Sequence, residues 1–301
     1  MPLVKIWQAF CVSRAEINGI TIEYELTGDP ADPALLLVMG LGAQLVDWPA
    51  PFVEQLAGRG FHVIRFDNRD SGLSTVVDDS GVPDIPALMG GDRSGAPYLI
   101  ADLAADTAGL LDALGVQRAH VVGVSLGGMI AQQLTIDFPE RVASLCSIMS
   151  MPGDRRVGRP TPQAAAVLGR PPAASREEAI ANAVAGSRII GSPGFPAAEE
   201  ELLRRATTKY DRAYTPLGTL RQLAAILAAP DRTAALGSVT APTLVIHGED
   251  DPLIGVSGGR ATAAAVPGAE LLTIPGMGHD LPAALWPQLV DAITRNATRA
   301  G

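Results

Sequence analysis

Ala119-His120-Val121-Val122-Gly123-Val124-Ser125-Leu126-Gly127 joins a short apolar run to a helical pattern across a turn with a glycine on each side of a serine. The apolar run, residues 119–122, has the length and composition of a strand buried on both faces. Residues 126–138 carry the helical pattern and stop before Pro139. Gly123-Val124-Ser125-Leu126-Gly127 therefore reads as G-x-S-x-G in a strand–turn–helix context, the setting of a nucleophile elbow. Such a turn is sharp enough that side chains two residues before and after the serine collide, which is why glycine is needed there. Ser125 is expected in a strained backbone region that lifts its hydroxyl into a cleft at the helix N-terminus.

A serine hydroxyl is a weak nucleophile until a base takes its proton. The chain offers His62, His120, His247 and His279. His62 and His120 begin buried runs, at the sheet edge away from the elbow, and His247 ends one. His279 follows Pro275-Gly276-Met277-Gly278, a glycine-rich loop after the last strand pattern, where loops point into the site of an open α/β sheet. His279 is the expected base. An acid must hold its tautomer, and Gly248-Glu249-Asp250-Asp251-Pro252 follows the strand pattern of residues 243–246. Asp251 is favoured, because the following proline biases it toward extended backbone. Asp250 is the alternative and Asp154 a remoter one. Acyl transfer also needs two backbone donors for the oxyanion. The N–H of Leu126 and, from Gly40-Leu41-Gly42, the N–H of Leu41 are the candidates.

Further out, continuous apolar runs at residues 35–39, 62–66, 142–149, 243–246 and 270–274 read as buried strands. Residues 17–26 alternate behind an Asn18-Gly19 turn signal, an antiparallel edge hairpin. Helical patterns cover residues 52–59, 99–114 and 285–294. Alternation of this kind predicts an α/β fold with a mostly parallel central sheet and helices on both faces. Residues 151–232 break it. A proline-rich entry leads into helical patterns at 175–190, 197–210 and 216–229, the first opened by Ser175 and Glu178 as a capping box. No strand pattern interrupts them, so a helical cap is expected to be inserted in the sheet. The division is core 1–151, cap 152–232 and core 233–301. The Gly- and Pro-rich residues 78–97 form a second irregular stretch, of the kind that borders a site or is disordered.

At 301 residues and 47% hydrophobic, the chain can bury a large core. A net charge of −9 speaks against nucleic acid, which is bound through a basic face. Cys11 and Cys146 form neither a metal cluster nor a disulfide framework, so a reducing, cytoplasmic setting is expected. No apolar run is long enough to span a membrane. The apolar start through residue 12 makes a poor signal peptide and, with Phe10 before Cys11, a poor lipoprotein signal. It is expected to pack as an edge extension, with a weak membrane-surface contact through Ile6, Trp7 and Phe10 left open.

Four segments together resemble the α/β-hydrolase superfamily over nearly the whole chain: Val38-Met39-Gly40-Leu41-Gly42, residues 67–74 (Asp67-Asn68-Arg69-Asp70-Ser71-Gly72-Leu73-Ser74), the elbow, and Gly276-Met277-Gly278-His279. Within it, Gly28-Asp29-Pro30-Ala31-Asp32-Pro33 and His62-Val63-Ile64-Arg65-Phe66-Asp67 are similar to the aclacinomycin methylesterase-like group. The resemblance implies carboxylic-ester hydrolysis through an acyl-enzyme, without a cofactor. Two departures stand out: Met39 where the family usually has histidine, and Asp70 where glycine is common. Asp67 and Arg69 are expected to tie the loop beside the oxyanion strand.

The expected substrate is a small-molecule apolar ester, an acyl or methyl ester, with Ile180, Ile189, Ile190, Leu202, Leu203, Leu220, Leu223 and Leu227 as candidate pocket walls. At least half of these would serve the cap's own core. A mean hydropathy of +0.21 fits lipid-like substrates as well. Phospholipase or thioesterase activity, lactone opening, C–C hydrolysis and perhydrolysis use the same triad and stay open. So does a non-catalytic receptor, which an intact Ser125, Asp251 and His279 set argues against.

Overall fold

The computed structural model describes residues 12–77 and 81–300. The apolar start and its proposed membrane-surface contact, residues 1–11, lie outside the described residues. An eight-stranded sheet runs through the molecule in the order β1-β2-β4-β3-β5-β6-β7-β8. The strands are β1 (Val12–Ile17), β2 (Ile20–Thr27), β3 (Ala34–Val38), β4 (His62–Phe66), β5 (Ala119–Val124), β6 (Val142–Ile148), β7 (Thr243–Gly248) and β8 (Glu270–Ile274). β1 and β2 pair antiparallel, β2 pairs antiparallel with β4, and every later pairing is parallel. Asn18 and Gly19 both take positive φ, 46° and 78°, between β1 and β2. Those dihedrals match the right-handed twist of the flanking strands, so the Asn-Gly signal marks a real hairpin.

Helices cover both faces. α1 (Ala50–Ala57) and α11 (Trp286–Thr298) enclose one core with the sheet, built around Leu35, Leu37, Val122, Ile148 and Ile246. α3 (Ile100–Ala113) and α4 (Leu126–Asp137) enclose the other, around Leu36, Val38, Val121 and Leu145. Adjacent strand residues thus feed opposite cores, which is why these strands read as unbroken apolar runs rather than alternating ones.

Between β6 and β7 the described chain is helical: α5 (Pro162–Leu168), α6 (Arg176–Ile190), α7 (Glu199–Arg212), α8 (Pro216–Ala228) and the single turn α9 (Thr233–Leu236). Ser175 caps α6 by accepting from the Glu178 N–H at 3.1 Å. The Glu178 carboxylate reaches Ala174 N–H instead of closing the box on Ser175. Residues 81–97, the described part of the second irregular stretch, are less irregular than their composition suggests. They contain α2 (Ile85–Met89), capped by Asp84, whose Leu88 packs on Ala224 and Ala228 of α8. After β7, α10 (Ser257–Ala265) leads to β8.

Candidate active site

Ser125 stands between β5 and α4 with φ 57° and ψ −119°, a backbone region hostile to a residue with a side chain. The flanking glycines allow it, each against a particular neighbour. A Cβ on Gly123 would lie 2.1 Å from the Gly127 carbonyl oxygen, and one on Gly127 would lie 2.0 Å from the Val38 carbonyl oxygen. The Ser150 hydroxyl braces the strained turn by donating to the Ser125 carbonyl at 2.8 Å.

His279 Nε2 lies 3.0 Å from Ser125 Oγ, and His279 Nδ1 lies 2.7 Å from Asp251 Oδ2. A carboxylate can only accept, so Nδ1 carries the proton and Nε2 is free to receive the serine's. Asp251 is buried, and its other oxygen accepts from the Leu253 and Ile254 N–H groups at 2.8 and 2.9 Å, which fixes the carboxylate plane. Asp250, the alternative, points elsewhere: its Oδ2 accepts from Gly276 N–H at 2.7 Å and braces the loop that carries His279. Asp154 forms an ion pair with its neighbour Arg156 at 2.9 Å.

His247 is buried beside Asp251. It donates from Nε2 to the Ile254 carbonyl at 2.7 Å, and Nε2 lies 3.6 Å from Asp251 Oδ2. Burial holds its pKa below the ordinary histidine value. His62 is the first residue of β4 and His120 the second of β5, at the strand starts as expected.

The loop after β3 comes close to the serine: a Cβ on Gly40 would lie 3.1 Å from Ser125 Cβ. Gly42 N–H is taken by Gln222 Oε1 at 2.8 Å, and Ala43 N–H by the Gly40 carbonyl at 3.2 Å. Leu41, between Gly40 and Gly42, lines the same cavity as Ser125. Leu126 is the first residue of α4, so its N–H has no intrahelical acceptor. Asp67 behaves as expected, accepting from Leu45 and Leu73 N–H and pairing with Arg212 at 2.7 Å. Arg69 does not tie this loop; it forms a bidentate pair with Asp106 on α3. Asn68 adds a tie to the end of β3 by donating to the Met39 carbonyl at 3.1 Å.

Several positioning contacts come from the helical insertion and were not legible in the sequence. Gln222 of α8 bridges Gly42 and the Arg69 carbonyl. The Ile190 carbonyl, at the end of α6, accepts from His279 N–H at 2.7 Å, and Ser192 Oγ accepts from Gly278 N–H at 2.8 Å. Asp70 has φ 66°, explaining why glycine would suit it. Its carboxylate is held by Arg221 of α8 at 2.7 and 2.9 Å and by the Tyr98 hydroxyl at 2.7 Å.

Ser125 and His279 open into a cavity of about 950 Å³ between the sheet and the insertion. Met39, Met129, Met149 and Met151 supply flexible apolar wall from the core side. Of the predicted wall residues, Ile190, Leu220, Leu223 and Leu227 line it. Ile180 and Leu202 pack instead in the insertion's own small core, and Ile189 and Leu203 are exposed.

A family described as alpha/beta hydrolase fold matches residues 33–282. The chain belongs to the α/β-hydrolase family. Among curated relatives of this hydrolase, rhodomycin D methylesterase DauP of Streptomyces sp. strain C5 is 34% identical, covering 93% of this chain and 97% of that protein. A poly(3-hydroxyalkanoate) depolymerase of Ectopseudomonas oleovorans is 30% identical over 90% of this chain and 87% of the relative. Among solved structures, esterase RhEst1 of Rhodococcus sp. ECU1013 superposes with a TM-score of 0.73, covering 98% of this chain and all of the other. At 21% identity that match speaks for the fold alone. In this hydrolase, among the described residues, no helix is long and apolar enough to cross a membrane.

Proposed function

We propose that this chain, a serine ester hydrolase, cleaves an apolar acyl or methyl ester through an acyl-enzyme, with Ser125 as nucleophile, His279 as base and Asp251 as the acid behind it. The observation that carries the reading is the unbroken contact line Ser125 Oγ–His279 Nε2 at 3.0 Å and His279 Nδ1–Asp251 at 2.7 Å, opening into an apolar-walled cavity. His279 takes the serine proton as Oγ attacks the ester carbon and returns it to the departing alcohol. Asp251 stabilises the imidazolium in between. The Leu41 and Leu126 N–H groups receive the developing oxyanion. A water, deprotonated by the same histidine, then releases the acid.

The methyl-ester reading draws support from the 34%-identical methylesterase, whose similarity runs through core and insertion alike. The cavity is large enough for a substrate of several fused rings or a long acyl chain. Fluorophosphonate labelling followed by peptide mass spectrometry tests the assignment. Label is expected on Ser125 and lost in Ser125→Ala. Turnover of p-nitrophenyl esters should vanish in the same variant while its melting temperature holds. Esterase activity that survives Ser125→Ala would refute the assignment.

A further inference from the structure

Charge around the cavity runs against the charge of the chain. The sequence carries 32 acidic and 23 basic residues. Yet, among the described residues, Arg155, Arg159, Arg170, Arg205, Lys209 and Arg232 contribute to the cavity lining against only Asp47 and Asp280. Part of this excess is answered locally: Arg205 pairs with Glu201, and Lys209 lies 3.2 Å from Asp47. The rest is not. Among the described residues Arg155, Arg159 and Arg170 meet only neutral oxygens. Arg155 donates to the Leu227 carbonyl at 2.7 Å and Arg159 to the Arg155 carbonyl at 3.2 Å. Arg170 donates to the carbonyl and side-chain oxygens of Asn182 at 3.0 and 3.1 Å.

Carboxylates are not scarce nearby. Arg156, next in sequence to Arg155, holds Asp154, and Arg176 and Arg188 hold Asp211 and Glu199. Arg232 adds a fully buried charge behind Met151, to whose carbonyl it donates at 3.2 Å. Among the described residues its Nε and Nη1 have no hydrogen-bond partner, and burial lowers its pKa only to about 10, so it remains a cation at neutral pH.

Isolated surface charges contribute little in water. A cleft with apolar walls and one sign of charge along it focuses the field and raises the local concentration of an oppositely charged ligand. From this we infer that the substrate is an anionic ester, carrying a carboxylate remote from the scissile bond, and that Arg155, Arg159 and Arg170 recognise it at the cavity mouth. This rests on the ester-hydrolase reading above and names its substrate class. The apolar middle of such a molecule lies along the methionine and leucine walls while its charged end meets the guanidinium groups. An ester bearing an amine in the same place is disfavoured.

The test compares matched esters. On the acyl side, the mono-p-nitrophenyl esters of adipic and suberic acid are set against p-nitrophenyl hexanoate and octanoate. On the alcohol side, 4-(carboxymethyl)phenyl butyrate is set against 4-ethylphenyl butyrate. The anionic member of at least one pair is expected to have a kcat/KM roughly tenfold higher or more at low salt. That ratio should fall toward unity at high salt and in an Arg155→Gln/Arg159→Gln/Arg170→Gln variant. Reading the ratio cancels any general loss of folded enzyme. Ratios at or below unity in both pairs, or a preference the triple variant leaves intact, would overturn the inference while the ester-hydrolase reading stands. No turnover of any ester together with no fluorophosphonate label would remove both.

Discussion

Asp250 and Asp251 are neighbours in the chain and carry the same group, yet they do different work. Asp250 belongs to the turn that follows β7 and Asp251 is the residue on which the chain leaves it, so the two side chains diverge. Asp251 turns inward to His279 and to two N–H groups of its own turn, while Asp250 turns to Gly276. Asp251→Asn should therefore cost about 10³- to 10⁴-fold in kcat, since the amide favours the wrong imidazole tautomer. Asp250→Asn loses one loop brace and is expected to cost less than about tenfold, a loss on the scale of one hydrogen bond. Steady-state kinetics on the two purified variants checks this; equal losses would mean the wrong acid has been assigned. The proline after Asp251 made the distinction partly legible. The placement of His247 was not legible, because nothing in the residue order says that a strand-end histidine lies 3.6 Å from the Asp251 carboxylate.

At the scale of elements, the helical insertion does more than cover the cavity. α8 reaches into the core with two adjacent residues: Arg221 pairs with Asp70, and Gln222 bridges the loop after β3 to Arg69. Both members of the Asp70–Arg221 pair are fully buried. Removing Arg221 leaves a carboxylate in the interior with, among the described residues, only Tyr98 and the Val77 N–H against it. Arg221→Ala is expected to lower the unfolding free energy by about 3–5 kcal/mol, measured by urea denaturation. A change below about 1 kcal/mol would mean the pair is dispensable. The helices α6, α7 and α8 were visible as periodic patterns. α5, α9 and α10 were missed because they are short; α10 reads Ser-Gly-Gly-Arg-Ala-Thr-Ala-Ala-Ala, with no large apolar residue to set a period. The ties between insertion and core join residues some 150 positions apart, such as Asp70 and Arg221 at 151, and no local pattern encodes them.

For the whole molecule, a mostly parallel sheet with helices on both faces followed from the alternation of buried runs and helical patterns, while the spatial order of the strands, with β4 between β2 and β3, is encoded in no local pattern. The basic residues along the cavity lining could not be foreseen from a net charge of −9. Stability should depend on pH through the buried histidines. Burial lowers the pKa of His62, His120 and His247. Below about pH 6.5 the unfolded chain takes up protons that the folded chain refuses, so stability is lost as pH falls. Unfolding free energies from about pH 7 to about pH 5.5 should fall less steeply in His247→Gln than in the parent. An unchanged slope would show that His247 titrates freely in the folded state. Comparing variant with parent isolates His247 from Asp67 and Asp280, whose raised pKa values act in the opposite sense. The central claim, that Ser125 becomes acylated within this fold, is tested most directly by rapid-quench mass spectrometry of the protein mixed with a p-nitrophenyl ester. The account predicts a burst of nitrophenol and a matching acyl mass on the peptide containing Ser125. Turnover with no acylated protein, or with the acyl group on another residue, would contradict it.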